Sequence, residues 1–165
     1  MVFLNKKDRG IEINGLIWSK FNVDAHGTFT ANASNCGMLY QWNNKQGWSA
    51  TDPAAGIGIE DWNAPHSGAD GYAWKPENDP CPQGWRVPTS EEQATLLDTV
   101  NVVNVWTDDY KGSGVAGRTF TDNATGKSIF FPATGFRFYV DGRLDSPDNS
   151  SFYWSATSGS STGTA

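Results

Sequence analysis

The sequence predicts a single α+β domain in which two short helices pack on small twisted antiparallel sheets. The first observation behind this fold class is a short strand that leads directly into a capped helix. The second is a set of apolar runs separated by turn dipeptides, which is typical of hairpins. The third is the composition: 18 Gly, 8 Pro and 13% aromatic residues in 165 positions indicate many loops around a core of large rings.

The strand and the helix start meet in segment 79–92. Pro80 and Pro82 disfavour helix in the residues before them and remove two backbone donors, so the chain enters this segment extended. The run 85–87 is predicted as a short strand that Pro88 ends. Segment 79–92 thus combines a strand, a proline that ends it and a helix start, and it is called the corner below. We expect the corner to determine how the two halves of the chain pack.

Thr89 is predicted as the N-cap of a helix over 90–100. Glu92 stands three residues later, so the pair fits a capping box in which each side chain binds the other residue's free N–H. One face of this helix is expected to carry Ala94, Leu97 and Val100. The residues expected to hold the corner and the core around it are Cys81, Trp85, Arg86, Pro88, Thr89, Glu92 and, from the last strand, Trp154.

The other elements are predicted from turn signals and apolar runs. Hairpins are expected at 11–18, around Asn14-Gly15, at 118–131, and at 136–144, around Asp141-Gly142. A second helix is expected at 38–45 with Trp42 inward, and a last strand at 152–155. The domain is expected to span 1–165, with an N-terminal extension over 1–10, a long loop over 49–80 that Trp62 and Trp74 hold by packing, and a flexible Ser/Gly tail over 158–165.

The charge pattern bears on partners. The net charge is −6 and Lys and Arg do not cluster, which argues against a nucleic-acid partner. No apolar window is long enough for a membrane-spanning helix, so no membrane insertion is expected. The apolar start, residues 1–4, is too short for a signal peptide. Three explanations are compatible with this start: the protein is cytoplasmic, it leaves the cell by another route, or a leader has been removed.

Five ordered motifs carry a resemblance to a known family. Residues 81–92 read C-P-x-G-W-R-V-P-T-x-x-E, residues 130–137 contain F-P-A-x-G-F-R, and residues 153–157 read Y-W-S-A-T; upstream stand W-x-x-x-N at 18–22 and G-x-L-Y-x-W at 37–42. This order resembles the bacterial major paralogous domain named from Fibrobacter succinogenes, and the shorter R-V-P-T-x-x-E core is similar to the formylglycine-generating-enzyme family. The resemblance implies a C-type lectin-like fold over roughly residues 11–158.

The chain departs from that family at its end. Relatives continue with closing strands, so this chain is expected to lack the last strands of the fold and to leave unpaired sheet edges. A truncated chain, a partner chain that completes the sheet, and a natural short form remain as explanations. Cys36 and Cys81 either form one disulfide or are free thiols; the resemblance implies a bridge from Cys81 to a C-terminal cysteine that this chain does not contain.

The residues indicate binding rather than catalysis, so the protein is predicted not to be an enzyme. His26 and His66 stand apart in polar loops, and no serine lies in a nucleophile elbow. The cysteine pair of the formylglycine-generating relatives is missing from the C-terminal half, so the resemblance argues against their oxidase chemistry. The cysteine and histidine spacing does not fit zinc.

No cofactor is predicted, although a structural calcium ion stays open because acidic and amide oxygens cluster in loops. The loop segments with this pattern are 77–79, 108–109 and 145–149.

The predicted ligand-binding residues lie in the C-terminal segment. Tyr, Ser, Gly and Asn favour recognition surfaces, because rings give contact area at low entropy cost and small polar groups adapt their hydrogen bonds. The resemblance places the ligand face of related display proteins, including variable proteins of diversity-generating retroelements, in the corresponding segment. The predicted residues are Asp145, Asp148, Asn149, Ser150, Ser151, Tyr153, Ser158, Ser160 and Ser161.

These interpretations lead to a non-enzymatic ligand-binding or display domain that recognises a protein or glycan on another surface. Its expected setting is a phage tail or a bacterial cell surface, outside the cell. One alternative is a pilus or tail assembly subunit, as a homo-oligomer or with a strand-donating partner chain. The other alternative is an enzyme related to the formylglycine-generating group.

Overall fold

The computed structural model describes residues 2–3, 10–60, 62 and 73–157. Within them lie one short α-helix, three single-turn 3-10 helices and four small antiparallel sheets, which agrees with an α+β class. The strands are β1 Val2–Phe3, β2 Gly10–Ile13, β3 Leu16–Ser19, β4 Met38–Tyr40, β5 Gly47–Ser49, β6 Trp85–Arg86, β7 Val102–Thr107, β8 Gly117–Asp122, β9 Ser128–Pro132, β10 Phe136–Arg137 and β11 Leu144–Asp145. Helix α1 is Ser90–Ala94, and the 3-10 helices are Pro76–Asn78, Thr95–Leu97 and Tyr110–Gly112.

The N-terminal sheet has the order β2-β3-β1-β6. The hairpin predicted at 11–18 is confirmed, and both residues of its turn have positive φ, 47° at Asn14 and 78° at Gly15, as a type I′ turn requires. Strand β1 falls in the segment predicted as an N-terminal extension, and it pairs with β3 on one side and β6 on the other. The corner strand is therefore joined to the first hairpin through the start of the chain.

The second sheet is the meander β7-β8-β9. Its hairpin at 118–131 is confirmed, whereas the sequence did not predict the six-residue strand β7. Packing between this sheet and the first hairpin forms the main core. The buried side chains of this core are Ile13, Trp18, Leu96, Val102, Phe120 and Ile129.

The helix after Thr89 is shorter than predicted. α1 ends at Ala94, and after the 3-10 turn Thr95–Leu97 the backbone is extended at Asp98, whose carboxylate accepts the N–H of Val100 at 3.0 Å. Because the helix ends there, the predicted face of Ala94, Leu97 and Val100 is wrong. Leu97 is 65% exposed and Val100 79% exposed, while Leu96, at 3%, enters the core.

The helix predicted at 38–45 is also wrong. The segment holds β4 and the turn to β5, and the two strands pair as a hairpin. Asn43 has a φ of 57°, which a helix does not accommodate, and its side-chain oxygen accepts the N–H of Lys75 at 2.8 Å. This hydrogen bond to the distant 49–80 loop stabilises a turn that the sequence window alone did not indicate.

The C-terminal elements are shorter than predicted. In the 136–144 hairpin only β10 and β11 pair, and Gly142 has positive φ at 69° while Asp141 does not, so the turn is not type I′. Residues 152–155 form no strand. The carbonyls of Tyr153 and Trp154 instead accept hydrogen bonds from the side-chain amide of Gln93, at 3.1 and 2.9 Å.

The prediction that Trp154 lies in the core is wrong as well. Its side chain is 46% exposed, and its Nε1 donates to the carbonyl of Tyr40 at 2.6 Å. Segment 152–155 therefore contacts β4 through the indole of Trp154 and not through backbone pairing, and the ring lies at the surface.

Trp85, the other tryptophan expected to hold the corner, is half-buried. Its ring packs edge-on against Phe29, with ring centroids 5.4 Å apart.

The capping box is confirmed. Thr89 Oγ1 accepts the N–H of Glu92 at 3.2 Å, and Glu92 Oε2 accepts the N–H of Thr89 at 2.8 Å. The guanidinium of Arg86 binds both carboxylate oxygens, at 2.5 and 2.8 Å. These hydrogen bonds, that from Arg86 foremost, hold the pKa of Glu92 below its usual range. Strand β6 is thereby tied to the first turn of α1.

This arrangement predicts a pH-dependent effect of Glu92→Gln. A carboxylate whose pKa is lowered on folding stabilises the protein above its unfolded pKa, about 4.3, and the contribution is lost as pH falls through the folded pKa. Urea unfolding should show a gap between wild type and variant that is constant near neutral pH and narrows below about pH 4. Glu12→Gln, on the exposed side of β2, is the control. A gap that is the same at every pH would contradict this role.

An aromatic cleft as the candidate functional site

A cleft of about 990 Å³ opens among the described residues. Strands β4 and β10, the corner after β6 and the segment 152–157 contribute its walls. Six of the eight tryptophans line it: Trp18, Trp42, Trp48, Trp62, Trp74 and Trp154. Its size and aromatic walls match those of small-molecule sites, which are mostly apolar with a few placed polar groups.

Tryptophans of the long 49–80 loop form one wall, and both hold the loop by packing, as the sequence predicted. Trp74 is 7% exposed, packs edge-on against Trp42 with ring centroids 5.9 Å apart, and donates from Nε1 to the carbonyl of Asn78 at 2.9 Å. Trp62 packs on Trp48 at 4.8 Å and donates to the carbonyl of Tyr139 at 3.0 Å. Both indoles thus attach the loop to other parts of the chain.

Arg137 is the charged residue among the described lining. Its guanidinium donates to the backbone carbonyls of Ser49 at 2.7 Å, Asp52 at 2.8 Å, Pro53 at 3.2 Å and Gly142 at 3.2 Å. Burial lowers the pKa of this guanidinium, and the four carbonyls orient it. Its donors are directed at the 49–53 turn and the β10–β11 hairpin, so Arg137 acts as a structural cation between them.

Two indole donors in the walls have no acceptor among the described residues. They are Trp18 Nε1 and Trp48 Nε1, which are both covered from solvent and have no hydrogen-bond partner among these residues. Trp18 as a whole is 1% exposed. A buried N–H without a partner costs about 1–3 kcal/mol. Because both nitrogens are covered from solvent, an oxygen in the open cleft reaches them only if the covering atoms move aside.

The two cysteines lie in the lining as free thiols. Burial, and then the charge of Asp148, raises the pKa of Cys36. Burial, and then the charge of Asp79, raises the pKa of Cys81 much further. A raised pKa keeps a thiol protonated at neutral pH, whereas reactive cysteines have lowered values. The pairing that the sequence left open is thus not made within this structure.

Of the predicted ligand-binding residues, Tyr153 lies in the cleft wall. Its hydroxyl donates to the carbonyl of Pro132 at 3.0 Å and accepts from Nδ2 of Asn22 at 3.3 Å, and burial raises its pKa. This phenol is therefore engaged in holding the wall.

The other predicted residues lie elsewhere. Residues 145–151 form the strand end and turns beside β10 and do not line the cleft: Asp145, Asp148, Asn149, Ser150 and Ser151. Their backbone groups stabilise the region, since Asp148 N donates to Ala133 O and Gly135 N donates to Ser150 O. Ser158, Ser160 and Ser161 lie outside the described residues.

The acidic loop segments considered for calcium do not gather into one site. The structure describes no group of three or more acidic, histidine or cysteine side chains in metal-binding arrangement among the residues it covers. Their oxygens accept local hydrogen bonds: Asp79 from the N–H groups of Cys81 and Val87, Asp108 from Trp106 Nε1, and Asp109 from Gly114 N.

The cleft itself was missed from the sequence. Its six tryptophans come from β3, the β4–β5 hairpin, the long loop and the C-terminal segment, so no local pattern connects them. The one available signal was the unusual number of tryptophans, eight in 165 residues, several of them in loops.

Comparisons with known proteins add no assignment: no family model, no curated protein and no solved structure matches this chain. None of the helices in the described part of the chain has the length and apolar character needed to cross a bilayer.

Proposed function

We propose that this protein is a non-enzymatic binding domain that recognises a protein or a glycan on another surface, and that the aromatic cleft is its ligand site. One observation carries the proposal: a cleft of about 990 Å³ walled by six tryptophans. Such a site offers large apolar faces for stacking.

The chemistry of the walls favours an uncharged ligand. The described lining contains no Asp, Glu, Lys or His, and its one guanidinium is directed at backbone carbonyls. The two lining thiols are kept neutral by burial. A charged ligand group would lose its hydration here without gaining a counter-charge. The described lining also lacks the carboxylates and imidazoles that general acid–base catalysis uses most often.

The setting on a bacterial cell surface or virion is part of the proposal and rests on the sequence resemblance. The C-type lectin-like fold has the same support: the five motifs and their order. The small antiparallel sheets and the single short α-helix of the described residues are compatible with that fold.

Binding to glycan and peptide arrays tests the function, and Trp154→Ala tests the site. Trp154 is half-exposed at the cleft, so its loss removes a stacking face with little buried area, and circular dichroism checks that the variant is folded. We expect the dissociation constant of an array hit, measured by tryptophan fluorescence titration, to rise at least about tenfold. Trp106→Ala is the matched control, because Trp106 is 38% exposed, also donates its Nε1, and lies outside the cleft.

Two outcomes would contradict the proposal. The absence of any hit on both arrays would argue against a binding domain. A hit that Trp154→Ala and Trp106→Ala weaken equally would place the ligand outside the cleft.

A second candidate, an assembly subunit that accepts a partner strand, is favoured by segment 151–157. Among the described residues this segment forms no strand, and β-bridges join it to other segments only at its two ends, Gly135 with Ser151 and Ala73 with Thr157. Trp42 Nε1 also donates to the carbonyl of Ser155 at 3.2 Å, in place of a strand ladder. Light scattering that shows a defined complex with a second, different chain would support this candidate over the first.

A further inference from the structure

A second association surface, separate from the cleft and independent of the proposed function, lies along β7. This strand is the outer strand of the sheet β7-β8-β9. Its six residues pair continuously with β8, from Val102 opposite Asp122 to Thr107 opposite Gly117, without a bulge. Within the described residues no strand pairs with its other edge. A straight six-residue edge of this kind is a template for another strand.

The side chains of β7 do not protect that edge. The strand reads V-V-N-V-W-T and contains neither a charged residue nor proline, which are the usual means of blocking edge pairing. Val103 is 48% exposed and Val105 56% exposed, and they point to the same face because they are two residues apart. The edge therefore combines open backbone groups with an uncovered apolar pair.

The hydrogen-bond pattern between β7 and β8 shows which residues of β7 direct their backbone N–H and C=O groups to the open edge. Asn123 N donates to Asn101 O at 2.8 Å, so this pair, just beyond the strand ends, is hydrogen-bonded. Bonded and non-bonded pairs alternate along an antiparallel ladder, so Val103 and Val105 are bonded to β8. Val102, Asn104 and Trp106 then direct their N–H and C=O groups to the open edge.

We propose that this edge pairs antiparallel with β7 of a second copy of the chain, with the two-fold axis at Asn104. In this register Asn104 faces Asn104 and Val102 faces Trp106 as hydrogen-bonded pairs, and the two sheets become one continuous sheet. Val103 then lies opposite Val105 of the other copy. The exposed valines cover each other in the close, non-hydrogen-bonded pairs.

Charge supports a second copy as the occupant. Each chain carries a net charge of −6, so a self-pairing edge must keep carboxylates apart. In this register residues 102–106 of one β7 face residues 102–106 of the other, and no residue of β7 is charged, so the paired strands bring no two carboxylates opposite each other. The edge is short, and the dimer is accordingly expected to be weak and concentration-dependent.

Val105→Lys tests the surface by light scattering and sedimentation over a concentration series. Wild type should show a monomer–dimer equilibrium, and the lysine, a natural edge-blocking residue, should weaken it at least about tenfold. Ile57→Lys is the matched control, since Ile57 is also 56% exposed and lies in the long loop. Circular dichroism confirms that each variant is folded.

Asn104→Cys tests the register. Bonded pairs have Cα atoms about 5.5 Å apart, within disulfide range, so oxidation should link two copies through residue 104. Val103→Cys, which faces Val105 instead of itself, should give no such link. A monomeric wild type, a dimer that persists in Val105→Lys, or cross-linking by Val103→Cys rather than Asn104→Cys would each overturn the proposal.

Discussion

Trp74→Ala is expected to lower the free energy of unfolding by about 3–5 kcal/mol, which is the usual cost of deleting a large buried ring. Trp74 is 7% exposed and holds the long loop through three contacts: its ring packs on Trp42, its Nε1 donates to Asn78, and its backbone N–H donates to Ala156 at 2.7 Å. Removing the side chain leaves a cavity beside Trp42 and an unpaired carbonyl at Asn78.

Urea unfolding of two further variants shows which contacts of Trp74 account for this loss. Trp74→Phe keeps most of the ring contact and loses the Nε1 hydrogen bond, so its cost should be smaller, about 1–2 kcal/mol. Trp106→Ala removes a tryptophan that is 38% exposed and should cost less than Trp74→Ala. Equal losses for Trp74→Ala and Trp106→Ala would mean that Trp74 does not anchor the loop.

Arg137→Lys is expected to destabilise the protein by about 2–3 kcal/mol, although the charge is kept. The guanidinium reaches four backbone carbonyls from one position, with Ser49 and Asp52 on the loop and Gly142 on the hairpin. A lysine ammonium has three donors at a single point and cannot reproduce this fork. The carbonyls that it leaves unpaired account for the loss.

Arg143→Lys in the same hairpin is the control for Arg137→Lys. Arg143 binds Asp141 at 3.0 Å at the surface and stacks over the Phe138 ring, so its replacement should cost less than about 1 kcal/mol. Unfolding free energies from urea titration compare the two. An Arg137→Lys loss no larger than that of Arg143→Lys would show that the carbonyl contacts contribute little.

The elements that sequence reasoning predicted correctly are those encoded by neighbouring residues. The Asn14-Gly15 turn has a local backbone requirement, and the Thr89 and Glu92 capping box spans three residues. The Arg118 to Phe131 hairpin likewise joins strands adjacent in the chain. In each case the decisive contacts lie within a short window, which a pattern can represent.

The errors arise where a distant partner decides the local structure. The 38–45 segment turns at Asn43 because the side-chain oxygen of Asn43 accepts the backbone N–H of Lys75 in the long loop. Trp154 stays at the surface because its indole binds Tyr40, 114 residues away. The aromatic cleft combines tryptophans from four separate parts of the chain, so no single segment of the sequence indicates that they come together.

The strand order of the N-terminal sheet has a consequence for synthesis on the ribosome. The chain's first strand, β1, is inserted between β3 and β6, so one of its edges waits for residues 85–86 to emerge. Until then the nascent chain exposes an unpaired strand edge. Partly folded chains with such edges are prone to aggregation. The opening hairpin can form early, but this sheet is complete only after residues 85–86 have been made.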